Sequence, residues 1–185
     1  MTLDSYNFSK KYDCIWLAPP RTGTRGLSKI FHFLGFQHKM EPLNTEKGMN
    51  YTHDYPSEDL ISNHKVIISV RNPYSRMFSM YKNYFRNSNS DNFKNYVMNL
   101  DGSIVKHPAF KIMDIQSNYV IRLENQMEDL MKVPFISENI SEKQIKLFTE
   151  HGKKIHNWED EYDEEMKNKV YNLFHKHFET YNYEK

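Results

Sequence analysis

The chain has 185 residues, 15% of them aromatic, and a formal net charge of +1. That is enough for one folded core, and it excludes the global basic field that binds nucleic acid non-specifically. The single cysteine, Cys14, excludes an intrachain disulfide framework and fits a reducing compartment. No run approaches the about eighteen apolar residues of a membrane span, and no signal-peptide core opens the chain. The expectation is therefore a cytoplasmic protein with neither a membrane nor a nucleic-acid partner.

After a polar lead-in, Cys14–Ala18 (CIWLA) is a short apolar run of buried-strand type, stopped by Pro19 and Pro20. From Thr24 the period becomes helical, with Leu27, Ile30, Phe31 and Leu34 on one face and Gly35 as the stop. Residues 37–63 are polar and irregular. Val66–Val70 (VIISV) is the clearest strand, apolar on both faces as a central parallel strand should be. Asn72 suits the cap of the next helix and Pro73 its first turn. Met77, Tyr81 and Tyr84 then carry a helical repeat to about Phe85. Residues 87–110 are ambiguous, with room for one short helix near Phe93–Leu100. Tyr119–Leu123 reads as a strand and Glu124–Lys132 as a helix. Ser141 and Gln144 form a capping-box pattern. A last helix covers about Glu161 to Tyr181, with Met166, Val170, Leu173 and Phe174 on one face. Alternating strands and helices predict a single α/β domain over residues 1–185, with three layers and a mainly parallel central sheet flanked by helices.

Arginine is scarce, and its placement is informative. Of 25 basic residues only six are arginine, and four of these fall in two short segments. Arg21 and Arg25 lie in Leu17–Leu27 (LAPPRTGTRGL), and Arg71 and Arg76 in Val70–Phe85. Arginine's rigid fork of donors suits tetrahedral and planar anions better than a lysine point charge does. The first segment reads strand, glycine-containing loop, helix start, which is a ready anion site. It lacks the GK[ST] of a nucleotide-triphosphatase P-loop, and the next strand ends in Arg71 where such enzymes usually carry a magnesium-binding Asp. Taken alone, this loop reads equally well as an ordinary proline-terminated strand end. In the second segment, the strand-to-helix turn should bring the Arg71 guanidinium and the Ser79 hydroxyl toward one point.

Arg71-Asn72-Pro73-Tyr74-Ser75-Arg76-Met77-Phe78-Ser79-Met80-Tyr81 resembles the second cofactor motif, R-[ND]-P-x-x-R-x-x-S-x-Y, of the PAPS-dependent sulfotransferases, particularly their carbohydrate branch. Pro20–Thr24 (PRTGT) is similar to that family's 5′-phosphosulfate loop. Tyr119–Leu130 and Tyr162–Tyr183 look like its later strand-to-helix stretch and its terminal helix. The resemblance implies a P-loop-like fold and transfer of a sulfuryl group from PAPS to a hydroxyl or amine of a carbohydrate or other small acceptor, with release of PAP. It implies that Arg71 and Ser79 bind the 3′-phosphate. Arg21, the Thr22, Gly23, Thr24 and Arg25 backbone amides and the Thr24 hydroxyl would then meet the phosphosulfate, Arg21 offsetting the leaving-group charge. His53, in Tyr51–Tyr55, resembles the base of the uronyl 2-O-sulfotransferases, with Glu58 second and His107 third. A solvated loop histidine is the competing reading of His53.

Two other classes stay open on the sequence: an inactive PAP- or nucleotide-binding module, and a nucleotide kinase. The histidine spacings do not suggest a metal site, since His175 and His177 point to different sides of a helix and no cysteine accompanies His151 and His156. Cys14 reads as core, the run Glu159–Glu165 as a solvated helix start, and Arg122 with Glu124 as a structural pair. The acceptor and the oligomeric state are undetermined. The Lys, Asn, Ile and Tyr bias points to an AT-rich microbial or viral genome.

Overall fold

A computed structural model describes residues 6–38, 56–85, 92–150 and 157–185. Chain order begins β1 (Tyr6–Ser9), β2 (Cys14–Leu17), α1 (Thr24–Phe33), β3 (Gln37–His38), α2 (Glu58–Asn63), β4 (Lys65–Val70) and α3 (Pro73–Met80), which continues as a π-helical turn over Tyr81–Phe85. It goes on through α4 (Phe93–Met98), α5 (Ser103–Lys106), α6 (Pro108–Lys111), β5 (Tyr119–Arg122), α7 (Gln126–Met131), α8 (Pro134–Ser137), α9 (Glu142–Glu150) and α10 (Glu164–Tyr181).

The sheet order is β3-β1-β2-β4-β5. β2, β4 and β5 are parallel neighbours, and β1 runs antiparallel to both β2 and β3. The fold is thus α/β with a mostly parallel sheet, as the sequence predicts. One correction concerns the lead-in, which contains a strand. β1 pairs with β2 in the register Tyr6↔Leu17 and Phe8↔Ile15, placing both rings on one face. Residues 37–63, expected to be irregular, supply β3 and α2 at their two ends.

The pleat divides the core. Cys14, Trp16, Ile67 and Ile121 face Leu27, Ile30 and Phe31 of α1, Leu130 of α7, Ile136 of α8 and Ile145 of α9. Trp16 stacks on Phe31 with ring centroids 4.4 Å apart. On the opposite face Ile15, Leu17, Val66, Ile68 and Val70 meet Ile112, Met113, Ile115 and Tyr181. Beyond them α3, α4, α6 and α10 share an aromatic-rich cluster around Phe78, Phe93, Phe110 and Phe174. Cys14 is fully buried, and burial pushes its thiol up to about 12, so it is core. Among the described residues no helix is long and apolar enough to cross a membrane.

His177 lies inside on α10 while His175 is exposed, the divergence that a two-residue separation predicts. Burial and the nearby Arg76 charge pull His177 down to about 4 from 6.5, with Asp114 opposing. The unfolded chain therefore binds the extra proton first, and stability falls as pH drops through this interval. The gap between 6.5 and about 4 corresponds to about 3 kcal/mol. We expect the unfolding free energy from urea titration to decline by roughly that much from pH 6.5 to pH 4. His177→Asn should flatten that part of the profile.

Candidate anion site

Parallel pairing of β2 with β4 sets their C-terminal ends side by side, with Leu17 opposite Ile68. The two arginine-bearing segments leave the sheet from these adjacent ends, which is the usual place for a ligand site in a parallel sheet. The first is shaped by hydroxyl bonds. Thr22 is fully buried and donates to the Pro19 carbonyl at 2.7 Å, with Ser69 Oγ 3.3 Å away. Ser69 Oγ in turn accepts from Trp16 Nε1 at 3.2 Å and donates to the Leu17 carbonyl at 3.2 Å. The Thr22 side chain therefore serves the loop's shape, leaving its backbone for a ligand.

Two loop residues have positive φ, Arg21 at 68° and Gly23 at 83°. At Gly23 the positive φ demands glycine, and a Cβ would also displace the Leu123 Cδ1 methyl, 2.5 Å away. Gly23 stands at the α1 N-cap and provides no side-chain cap, whereas Ser57, Asn72, Asn92 and Asp163 cap α2, α3, α4 and α10. α1 has no acidic residue in its first turn, so neither a cap side chain nor a carboxylate there offsets the positive end of its dipole. Thr24, its first residue, is buried; Arg25, the next, is exposed.

In the second segment Asn72 caps α3 by accepting from Tyr74 N at 2.9 Å and Ser75 N at 3.3 Å. Arg71 Nε donates to Ser75 Oγ at 2.7 Å, and its Nη1 lies 3.4 Å from the Arg21 carbonyl oxygen. Arg21 Nε donates to Ser79 Oγ at 3.0 Å, and the Asn83 carboxamide oxygen faces the same guanidinium. The two segments meet, but with other pairings than the expected Arg71 with Ser79. Ser79 holds Arg21, while Arg71 holds Ser75. Ser75 went unrecognised, although it lies one helical turn before Ser79 and so shares its face.

Burial lowers the Arg71 guanidinium from its ordinary value, Glu124 opposes this, and the neighbouring Arg21 adds to it. Among the described residues no carboxylate lies within ion-pair distance of Arg71. Arg122 differs: it makes a two-pronged bond to Asp129 at 2.9 and 2.8 Å. This corrects the expected pairing of Arg122 with Glu124. Glu124 Oε1 accepts instead from Asn72 N at 2.9 Å, and its Oε2 accepts from Tyr183 Oη at 3.0 Å.

Arg76, the second arginine of the motif, points inward and is 1% exposed. Its Nε donates to the Pro20 carbonyl at 3.1 Å and Nη2 to the Ala109 carbonyl at 2.8 Å. Nη1 meets Met113 Sδ, and the guanidinium sits 4.2 Å from the Phe110 ring centroid. Burial pulls it down to about 9, which still leaves it charged at neutral pH.

Two of the three expected bases fall within the described residues. His53 lies outside the described residues. Glu58 is exposed in the first turn of α2, which leads into the N-terminal end of β4, the far end from Arg71. His107 caps α6, its Nδ1 accepting from Ala109 N at 3.2 Å. Among the described residues no group of three His, Cys, Asp or Glu is placed to hold a metal ion. No family model, curated protein or solved structure matches the chain.

Arg76→Ala should leave two buried carbonyls short of a donor and open a cavity over Phe110, costing on the order of 3 kcal/mol in urea denaturation. Arg71→Ala, made at a partly exposed cation without a salt bridge, should change stability by less than about 1 kcal/mol. Equal losses in the two variants would contradict this division between a structural and a ligand-facing arginine.

Proposed function

We propose that the protein is a PAPS-dependent sulfotransferase acting on a hydroxyl, or an amine, of a carbohydrate or other small acceptor and releasing PAP. The observation that carries this reading is the apposition of Arg21 and Arg71 beside Ser75, Ser79 and the uncapped start of α1. Burial and the neighbouring Arg21 charge depress the Arg71 guanidinium, and Arg71 has no carboxylate in ion-pair range among the described residues. The donors number more than one phosphate needs, which fits a ligand with two anionic groups.

PAPS supplies an activated sulfuryl group on a phosphate leaving group. On this reading β2, the loop and α1 form a P-loop-like cradle. Arg71 and Ser79 hold the 3′-phosphate. Arg21, the Thr22–Arg25 amides and the Thr24 hydroxyl hold the phosphosulfate, and Arg21 offsets the charge that gathers on the leaving phosphate. His53 takes the proton from the acceptor. Arg71 at the end of β4, where a magnesium-binding Asp would serve a kinase, favours this reading over Mg-ATP chemistry.

Calorimetry with PAP, with ADP plus magnesium as the comparison, tests the reading. Micromolar PAP binding with little for ADP supports it. No PAP binding overturns it, and magnesium-dependent ADP binding in its place revives the kinase. Charge-assisted bonds are worth about 1.5–3 kcal/mol each, so Arg71→Ala should weaken PAP binding about ten- to a hundredfold. His53→Ala should lower sulfuryl transfer by about a hundredfold or more while leaving PAP affinity intact. Full turnover in that variant, assayed with PAPS and a panel of carbohydrate acceptors, would remove His53 from the mechanism.

A further inference from the structure

We propose that Tyr183 is a positioning residue for the anion site: its hydroxyl holds the Glu124 carboxylate on the Asn72 amide and so keeps it from pairing with Arg71. The inference rests on the reading of Arg71 as a phosphate ligand. It starts from the register of the sheet. Val70 pairs with Arg122, and Leu123 N donates to the Val70 carbonyl at 2.9 Å, which is the last backbone bond between β4 and β5. Two residues further along each chain, Asn72 N donates to the Glu124 side chain at 2.9 Å. A carboxylate thus continues the ladder where the backbones diverge, and Arg71 sits between two residues anchored to the β5 end.

That arrangement carries a hazard. Glu124 is exposed and the field of its carboxylate reaches Arg71, yet the two form no ion pair. A Glu124 side chain turned toward Arg71 would set its carboxylate in competition with any incoming phosphate. Tyr183 blocks this by donating to Oε2 at 3.0 Å, so that both carboxylate oxygens are engaged. Burial and the adjacent Glu124 raise the Tyr183 hydroxyl far above its ordinary value, so it remains a donor at neutral pH.

The C-terminal end of α10 fixes the tyrosine. Asn182 adopts a left-handed conformation at φ 54°, and Tyr183 N turns back to donate to the Phe178 carbonyl at 2.9 Å. Two residues before Tyr183, the Tyr181 hydroxyl donates to the Met113 carbonyl, which holds the helix end against the sheet. The ring of Tyr183 packs against both apolar clusters on this side of the sheet. Tyr183→Phe therefore removes the hydroxyl while leaving the packing in place.

A double-mutant cycle of Tyr183→Phe and Glu124→Gln, read by calorimetry with both PAP and inorganic pyrophosphate at low salt, tests the inference. A glutamine can still accept from Asn72 N but cannot form an ion pair with Arg71. In the Glu124 background, Tyr183→Phe should weaken anion binding about three- to tenfold, the scale of a competing exposed ion pair. In the Glu124→Gln background the same change should have less than about a twofold effect. An equal loss in both backgrounds would reduce Tyr183 to a structural prop, and wild-type affinity in Tyr183→Phe would also overturn the inference. Pyrophosphate binding that follows the cycle without PAP binding sustains the Tyr183 role and removes the sulfotransferase reading. Failure of both anions to bind removes both.

Discussion

A buried cation organises this protein. Removing the Arg76 guanidinium from water costs several kcal/mol unless its donors are satisfied. It is satisfied by carbonyls from two distant stretches, Pro20 in the first loop and Ala109 in α6, and by the face of Phe110. One side chain of α3 thereby ties the loop after β2 to the helical layer beyond the sheet. The loop's remaining shape comes from Thr22 and Ser69, which bind backbone oxygens in the interior. With its inner side engaged in this way, the loop presents Arg21 and the start of α1 toward α3.

The electrostatic character of the corner follows from that division of labour. Arg76 is matched by neutral dipoles and Arg122 by a full carboxylate, while among the described residues Arg71 meets a serine, a backbone oxygen and the field of Glu124. Desolvation and a like-charged neighbour both act against its charge. On the proposed reading, an oxyanion bound between Arg71 and Arg21 would offset both effects.

Much of this was legible in the chain, and what was not has identifiable causes. β2 and β4, buried on both faces, betray themselves as continuous apolar runs. β1 has only four residues and β3 two, too few for a period, and both depend on partners for their identity. α5, α6 and α8, at four residues each, are set by tertiary contact. That Arg21 and Arg71 gather at one corner was readable because arginine is scarce and clustered. Their pairing was not, because whether Ser79 meets Arg21 or Arg71 depends on the left-handed turn at Arg21, which spacing does not encode. Arg76 escaped for a related reason: arginine is ordinarily a surface residue, and nothing in a linear motif marks the one that turns inward.

The end of α10 has a consequence for how the molecule is made. Tyr181 reaches Met113 across 68 residues of sequence, and Tyr183 reaches Glu124 across 59. During synthesis the sheet's parallel strands and the loop beside Arg21 emerge well before either tyrosine exists. Contacts of such separation close slowly, because loop entropy must be lost before they contribute. A nascent chain therefore carries its arginine corner open to solvent and its sheet face incompletely covered until α10 docks. Completion of the core and the Tyr183–Glu124 contact are then the same late event, and a product truncated before α10 would lose both together.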